Sequence, residues 1–243
     1  MKKLQIKIVL IGHLRRTLDL RKIERFKSRF FEINEIERIN NLPSPQKDDG
    51  YLDVSFSREE ITTMLSSVNG ADAVIGVINY RFTDNFYLHR TGRNKACISI
   101  ADIDGLLLEN NISIENFVLK NIYEMIVFKN VLGDLTSDEV YSLVHQDTRG
   151  CLFDLNGDKC DVVYNTEKPI ICDSCKAFIN ERSLPNNFVR DIERELRNIR
   201  KPLICSVEMF IRKYPLFSAA LAVTSSIVIN LASNLIWELM RLK

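Results

Sequence analysis

The sequence predicts an α/β fold, a mixed sheet with packed helices, to which a cysteine-rich metal knuckle and one C-terminal transmembrane helix are added. Three observations predict it. Runs rich in β-branched residues, such as Leu4–Ile11 and Ala71–Asn79, alternate with stretches of helical periodicity. Cysteines gather between positions 151 and 175, and no charged residue interrupts Tyr214–Trp237.

Leu4–Ile11 reads as a first strand that ends at Gly12, and Leu20, Ile23, Phe26 and Phe30 space out a helix over 18–31. Ile33–Ile39 is a second strand, followed by a surface loop from Leu42 to Gly50 on its Pro, Asp and Gly content. Ser57 and Glu60 form a capping box that opens a helix to about Val68, and Asn69-Gly70 stops it. Ala71–Asn79 is almost continuously apolar, the pattern of a strand covered on both faces, and is therefore the sheet centre. An irregular stretch with His89 and Gly92 leads to a fourth strand, Ala96–Ile100. Ser113 caps a helix over 114–131, ahead of Gly133. Asn156-Gly157 between two short apolar runs predicts a hairpin over Cys151–Tyr164. From Pro185 the pattern turns amphipathic, with Phe188, Ile192, Leu196 and Ile199 on one face, as in a helical stalk that Pro202 kinks. The predicted organisation is a soluble domain over 1–182 that includes a knuckle at 145–178, a stalk over 183–213 and a transmembrane helix over 214–238.

Lys and Arg total 33 against 32 Asp and Glu, and removing Glu238, Arg241 and Lys243 leaves the two signs equal. A neutral domain lacks the excess of cations that binding a phosphate backbone needs, so nucleic acid is not an expected partner unless charge is segregated. Arg15, Arg16, Arg21 and Lys22 form the one early basic cluster, and with Asp19 and Glu24 among them they read as a solvated helix face. The N-terminal apolar run is broken by Gln5 and Lys7 and no cleavage site follows, which points to synthesis in the cytoplasm without export. The six cysteines (97, 151, 160, 172, 175 and 205) are then reduced thiols or metal ligands rather than a disulfide framework.

Cys172-Asp-Ser-Cys175 presents two thiolates to one ion, and the second pair must come from elsewhere: Cys151 with either His145 or Cys160. Four protein ligands leave no position for water, so the expected Zn2+ is structural. Asp154 and Arg149 are placed to support a ligand, and Lys159 and Asp161 to pair across the hairpin. No phosphate-cradling loop, nucleophile elbow or paired-carboxylate motif appears.

The cysteine region resembles the archaemetzincin metallopeptidases, in which a helix carrying HExxHxxGxxH is followed by Cx4CxMx17CxxC. Here Cys151-Leu-Phe precedes Cys172-x-x-Cys175 with one residue more than that spacing, and His145 lies six before Cys151. Gln146 stands at the family's first structural cysteine, which is why His145 is brought into the knuckle. Val74–Ile78 and Cys97–Ile100 are similar to the family's central strand and the edge strand above its cleft, so the resemblance covers about 4–182. It implies a metzincin-like fold whose catalytic motif is degenerate. Glu124 takes the general-base position, but Tyr123 and Val127 stand where the two helical histidines belong, and Asn130 and Gly133 replace the glycine and third histidine. His13 and His89 lie in unrelated segments. With catalytic ligands missing, the expectation is a pseudoenzyme.

The uncharged segment is long enough as a helix to cross a hydrocarbon core of roughly 30 Å. Arg212 and Lys213 precede it, and Trp237, Arg241 and Lys243 follow it as interface anchors. The expected location is the inner (cytoplasmic) membrane, single-pass, with the domain in the cytoplasm. Ser226, Asn230, Ser233 and Asn234 share one helical stripe, which favours a homo-oligomer built through the membrane or a water-filled pore. The architecture resembles that of bacterial membrane-disrupting effectors of antiviral defence, controlled by an unidentified activating ligand or protein. A membrane-tethered zinc metallopeptidase and a non-enzymatic membrane adaptor are the alternatives.

Overall fold

β1 (Leu4–Ile11) and β4 (Ala73–Ile78) lie side by side in a five-stranded sheet of order β2-β1-β4-β7-β6, which places β4 at the middle. β2 (Phe31–Ile39), β1, β4 and β7 (Lys95–Ser99) run parallel, and β6 (Leu88–Gly92) closes one edge antiparallel to β7. Two short strands, β3 (Ser55–Phe56) and β5 (Arg81–Phe82), pair separately. The computed structural model describes residues 2–14, 18–44, 54–146, 148–200, 207, 210, 211 and 214–241. They divide into two compact units, Met1–Arg200 and Lys201–Lys243.

The sheet has two covered faces, as the near-continuous apolar runs predict. Ile6, Ile8, Leu10, Ile75, Val77 and Ile98 share one core with the long helix α4 (Ile114–Leu132), which follows α1 (Leu20–Glu24), α2 (Arg58–Ser66) and α3 (Ile103–Glu109). Val9, Ile11, Val74, Ile78 and Cys97 share the other with Ile61 and Leu65 of α2. A Cβ at Gly76 would come 2.9 Å from Cys97 Sγ, so the absence of a side chain there lets the central strand and its neighbour sit beneath α2. The Ser57–Glu60 capping box is present. Ser113 Oγ accepts from the Asn116 amide at the start of α4, and Gly133, at φ 75°, ends it in the left-handed conformation. Every residue of α4 from Ile114 to Phe128 is buried, because the chain beyond it packs over its outer face.

Three elements differ from the sequence reading. The helix expected over 18–31 is only α1, since Ser28 Oγ and the Arg29 amide donate to Glu195 and Phe31 enters β2. The hairpin at Asn156-Gly157 does not form. Asn156 takes a left-handed φ of 49°, but its side-chain amide donates to Tyr87 Oη, and Asp158 caps a 3-10 turn (Lys159–Asp161) that runs into α5 (Val162–Glu167). β6 comes from the stretch read as irregular, whose sequence Leu-His-Arg-Thr-Gly gives no strand signal.

The amphipathic segment expected as a stalk over 183–213 begins inside the first unit. α7 (Phe188–Leu196) follows α6 (Asp173–Asn180) and buries Phe188, Ile192 and Leu196, with Ile199 just beyond. The first unit therefore extends to Arg200 rather than 182. Pro202, Cys205, Arg212, Lys213 and Lys243 lie outside the described residues, as do Arg15, Arg16 and most of the 42–50 loop.

The second unit contains α8 (Pro215–Arg241), whose stretch Pro215–Asn234 is long and apolar enough to cross a membrane. Ser226, Asn230, Ser233 and Asn234 are all exposed. Ser226 Oγ bonds back to the Ala222 carbonyl, and Asn234 Nδ2 donates to Asn230 Oδ1 at 3.2 Å.

Candidate metal centre

The metal-binding residues come from three short pieces of backbone that cross-brace one another. His145 bridges to Asp154, its amide donating to Phe153 O at 3.3 Å and its carbonyl accepting from the Leu155 amide at 2.9 Å. Gly150, at φ 89°, permits the turn that brings Cys151 beside Ile170, where the Leu152 amide donates to Ile170 O at 2.7 Å. Cys172 is the N-cap of α6 and Cys175 lies in its first turn.

These pieces place Nε2 of His145 and the sulfurs of Cys151, Cys172 and Cys175 within 4.8 Å of one another. His145 Nε2 is 3.2 Å from Cys151 Sγ and 3.5 Å from Cys172 Sγ, and the sulfurs of Cys151 and Cys175 are 4.0 Å apart. A tetrahedral Zn2+ with bonds of about 2.3 Å to sulfur and about 2.0 Å to nitrogen separates its ligand atoms by roughly 3.5–3.8 Å. The donor set fits that ion in type, number and spacing. Cys160 is exposed and stands outside the group, so of the two fourth ligands the sequence leaves open, the structure selects His145.

The two closest sulfurs influence each other's titration. The contact between the two sulfurs lowers the pKa of the Cys151 thiol and raises that of Cys175. Asp154 lies across the bridge from His145, and its Oδ2 and His145 Nδ1 are both buried without a hydrogen-bond partner. Arg149 pairs with Asp161 at 3.1 Å, away from the ligands, and Lys159 pairs with Asp102 at 3.2 Å rather than with Asp161.

Glu124 stands apart from this centre, on the wall of a cavity of about 230 Å3 that Arg58, His89, Arg90, Tyr141 and Phe153 also line. Burial pushes its carboxyl above the usual carboxylate range, against the pull of Lys120. Lys120 is wholly buried, with Nζ 3.3 Å from Glu124 Oε2, 3.2 Å from Asn121 Oδ1 and 5.5 Å from the Tyr87 ring centroid. The resemblance places Tyr123 and Val127 at the metal-binding positions, but both side chains belong to the hydrophobic core. Tyr123 packs edge-on against Phe31 and donates its hydroxyl to Glu195 Oε2 at 2.6 Å. The i, i+4 pair beside the cavity is Lys120 and Glu124, three residues earlier in register. His13 is exposed, and His89 is buried 3.2 Å from Asp84.

Sequence reasoning missed two buried groups. Lys120 signals itself only as a cation four residues before a carboxylate in an otherwise apolar helix. Glu195, which accepts from Ser28 Oγ, the Arg29 amide and Tyr123 Oη, is marked by its place with Asp191 alongside the apolar stripe of α7.

Fold and site together define a mixed α/β domain that carries a closed zinc site of one histidine and three cysteines, followed by one apolar helix. No family model matches the sequence, and no curated protein matches it. Among solved structures, the archaemetzincin of Methanopyrus kandleri is similar at 14% identity and a TM-score of 0.49, over 74% of this chain and 94% of that one. The archaemetzincin of Archaeoglobus fulgidus, complexed with malonate, is similar at 15% identity and a TM-score of 0.41, over 72% of this chain and 99% of that one. Both are remote resemblances.

Proposed function

We propose that the chain is a membrane-anchored pseudo-peptidase, in which a cytoplasmic domain stapled by one structural Zn2+ receives a signal and relays it to a self-associating helix in the inner (cytoplasmic) membrane. The observation that carries this reading is the ion pair at the cavity. A catalytic zinc needs three protein ligands and an open position. Among the described residues, His145, Cys151, Cys172 and Cys175 are the one such group, and all four protein donors are already used there. Glu124, held by the Lys120 ammonium, serves neither as a metal ligand nor as a free base.

The output is assigned to α8, whose Ser226, Asn230, Ser233 and Asn234 stripe favours a homo-oligomer and perturbation of the bilayer. Such an architecture suits a bacterial effector of antiviral defence that waits for an activating ligand or protein. The competing reading, a membrane-tethered zinc metallopeptidase, draws on the cavity beside Glu124.

Metal content separates the two. The pseudo-peptidase reading expects one tightly held zinc per chain and no cleavage of casein, whereas a second, exchangeable zinc with casein cleavage overturns it. For the output, expression of the whole chain with an activating partner should depolarise cells and Asn230→Leu should abolish the effect; equal depolarisation by both sinks the oligomeric-effector role.

A further inference from the structure

The first unit carries slightly more carboxylates than cations, 28 Lys and Arg against 30 Asp and Glu, but its charge is not evenly spread. α1 and the turn after it expose Arg21, Lys22, Arg25 and Lys27 around an open groove of about 560 Å3 that Asn198 also lines. Arg29 and Arg194, by contrast, are both paired with Asp191, at 3.0 and 3.5 Å. Asp19 and Glu24 are the exposed carboxylates of the α1 stretch, and both are outnumbered there. Lys22 is tied down by Ser113 and Asn116. Arg21, Arg25 and Lys27 have no carboxylate within ion-pair distance among the described residues. They are held on rigid backbone, since α1 is anchored by the fully buried Ile23 and the following turn by the bonds of Ser28 and Arg29 to Glu195.

The charge of this face selects its partner. Asn198 is two residues from Arg200, where the first unit ends and the chain continues towards α8. The connecting sequence adds Lys201, Arg212 and Lys213, and Arg15 and Arg16 precede α1. Exposed cations held without carboxylate partners, in a chain whose sequence runs on to an apolar helix, match the negative surface of an anionic leaflet. We infer that the face around Arg21, Arg25 and Lys27 docks the domain on the phosphate headgroups of anionic lipids. The inference rests on the reading of α8 as a membrane span. Docking fixes the orientation of the domain on its membrane, and neutralising the face releases it.

The test uses the full chain reconstituted in vesicles of phosphatidylcholine alone or mixed with phosphatidylglycerol, and reads amide hydrogen exchange over residues 19–29. Exchange should slow in the anionic vesicles only, and high salt should reverse it. Each cation near such a surface contributes about fivefold, from about 1 kcal/mol, so Arg21→Gln/Arg25→Gln/Lys27→Gln should weaken docking about a hundredfold. The substituted side chains are exposed, and circular dichroism matching the parent confirms that the variant folds. Equal exchange in the two lipids overturns the inference. So does protection of the same residues by an RNA oligonucleotide but not by the anionic vesicles, which assigns the face to nucleic acid. Extraction of the chain from both vesicles by alkaline carbonate refutes the membrane span separately, whatever the exchange shows.

Discussion

Replacing Cys175 by serine tests the metal centre most directly. Cys175 is 3% exposed and its sulfur lies 4.0 Å from that of Cys151, so the substitution removes one of four ligands from a closed site. Binding of structural zinc is worth about 10–16 kcal/mol at neutral pH, comparable to the whole stability of about 5–15 kcal/mol of a folded domain. A quarter of the binding energy, about 3–4 kcal/mol, is the least that the loss of one ligand should cost. At about 2–4 °C per kcal/mol for a domain of this size, the melting temperature falls by about 6–16 °C. The segment affected is identifiable, because Leu152, Phe153, Ile171 and Ile179, all buried in the core shared with α4, are carried by the same cross-braced backbone. The assay pairs zinc content by mass spectrometry with thermal unfolding. Cys160→Ser is the internal control, since Cys160 is exposed, and should change neither reading. Full zinc and an unchanged melting temperature in Cys175→Ser refute the reasoning. Loss of zinc in Cys160→Ser with retention in His145→Ala shows that the fourth ligand has been misassigned.

Lys120→Met leaves Glu124 buried and unpaired, and urea unfolding should show a loss of about 3–5 kcal/mol, whereas Lys120→Met/Glu124→Met should recover most of it. A single variant within 1 kcal/mol of the parent (roughly the scatter of such measurements) counts against a true buried pair. Glu195→Gln removes the charge that Ser28, the Arg29 amide and Tyr123 all donate to, and should cost about 2–4 kcal/mol in the same experiment. Tyr123→His/Val127→His should not gain a second zinc, because both positions face the core; a second equivalent in the metal assay disproves that orientation. Burial lowers the pKa of His89, so the unfolded chain holds this proton to higher pH than the folded one. Its contribution to stability is present above the unfolded value of about 6.5 and is lost as pH falls below it, and His89→Gln should flatten that part of the profile.

Elements whose causes are local in sequence were legible. β1 and β4 announce themselves by composition, α2 by a capping box made within four residues, and α4 by Ser113 at one end and Gly133 at the other. Those that failed depend on distant partners. α1 stops short because Glu195, far along the chain, takes Ser28 and the Arg29 amide, and nothing near residue 28 foretells it. The Asn156-Gly157 hairpin fails because Tyr87 and Asp154 capture the Asn156 side chain. The metal site lies between these cases. Cys172 and Cys175 are set by one helical turn, but the choice of His145 over Cys160 depends on the bridge from His145 to Asp154, a pairing invisible in a spacing pattern.

The same distinction decides how α4 is to be read. A half-buried helix displays its orientation as an apolar stripe. α4 has none, because Ile114–Phe128 is buried all round, between the sheet on one side and the C-terminal part of the unit on the other. Its sequence therefore allows more than one i, i+4 pair to face the cavity, and a motif comparison settles on Tyr123 and Val127 merely because Glu124 lies between them. Packing decides otherwise. Tyr123 is drawn to Phe31 and Glu195, which leaves Glu124 on the cavity wall with the buried Lys120 paired to it from the preceding turn. At that point the two charges satisfy each other. An ammonium on the neighbouring turn supplies the positive charge that a metal would otherwise bring to a buried carboxylate, and it does so permanently. Building a metal site at Glu124 would thus require removing Lys120 as well as adding ligands.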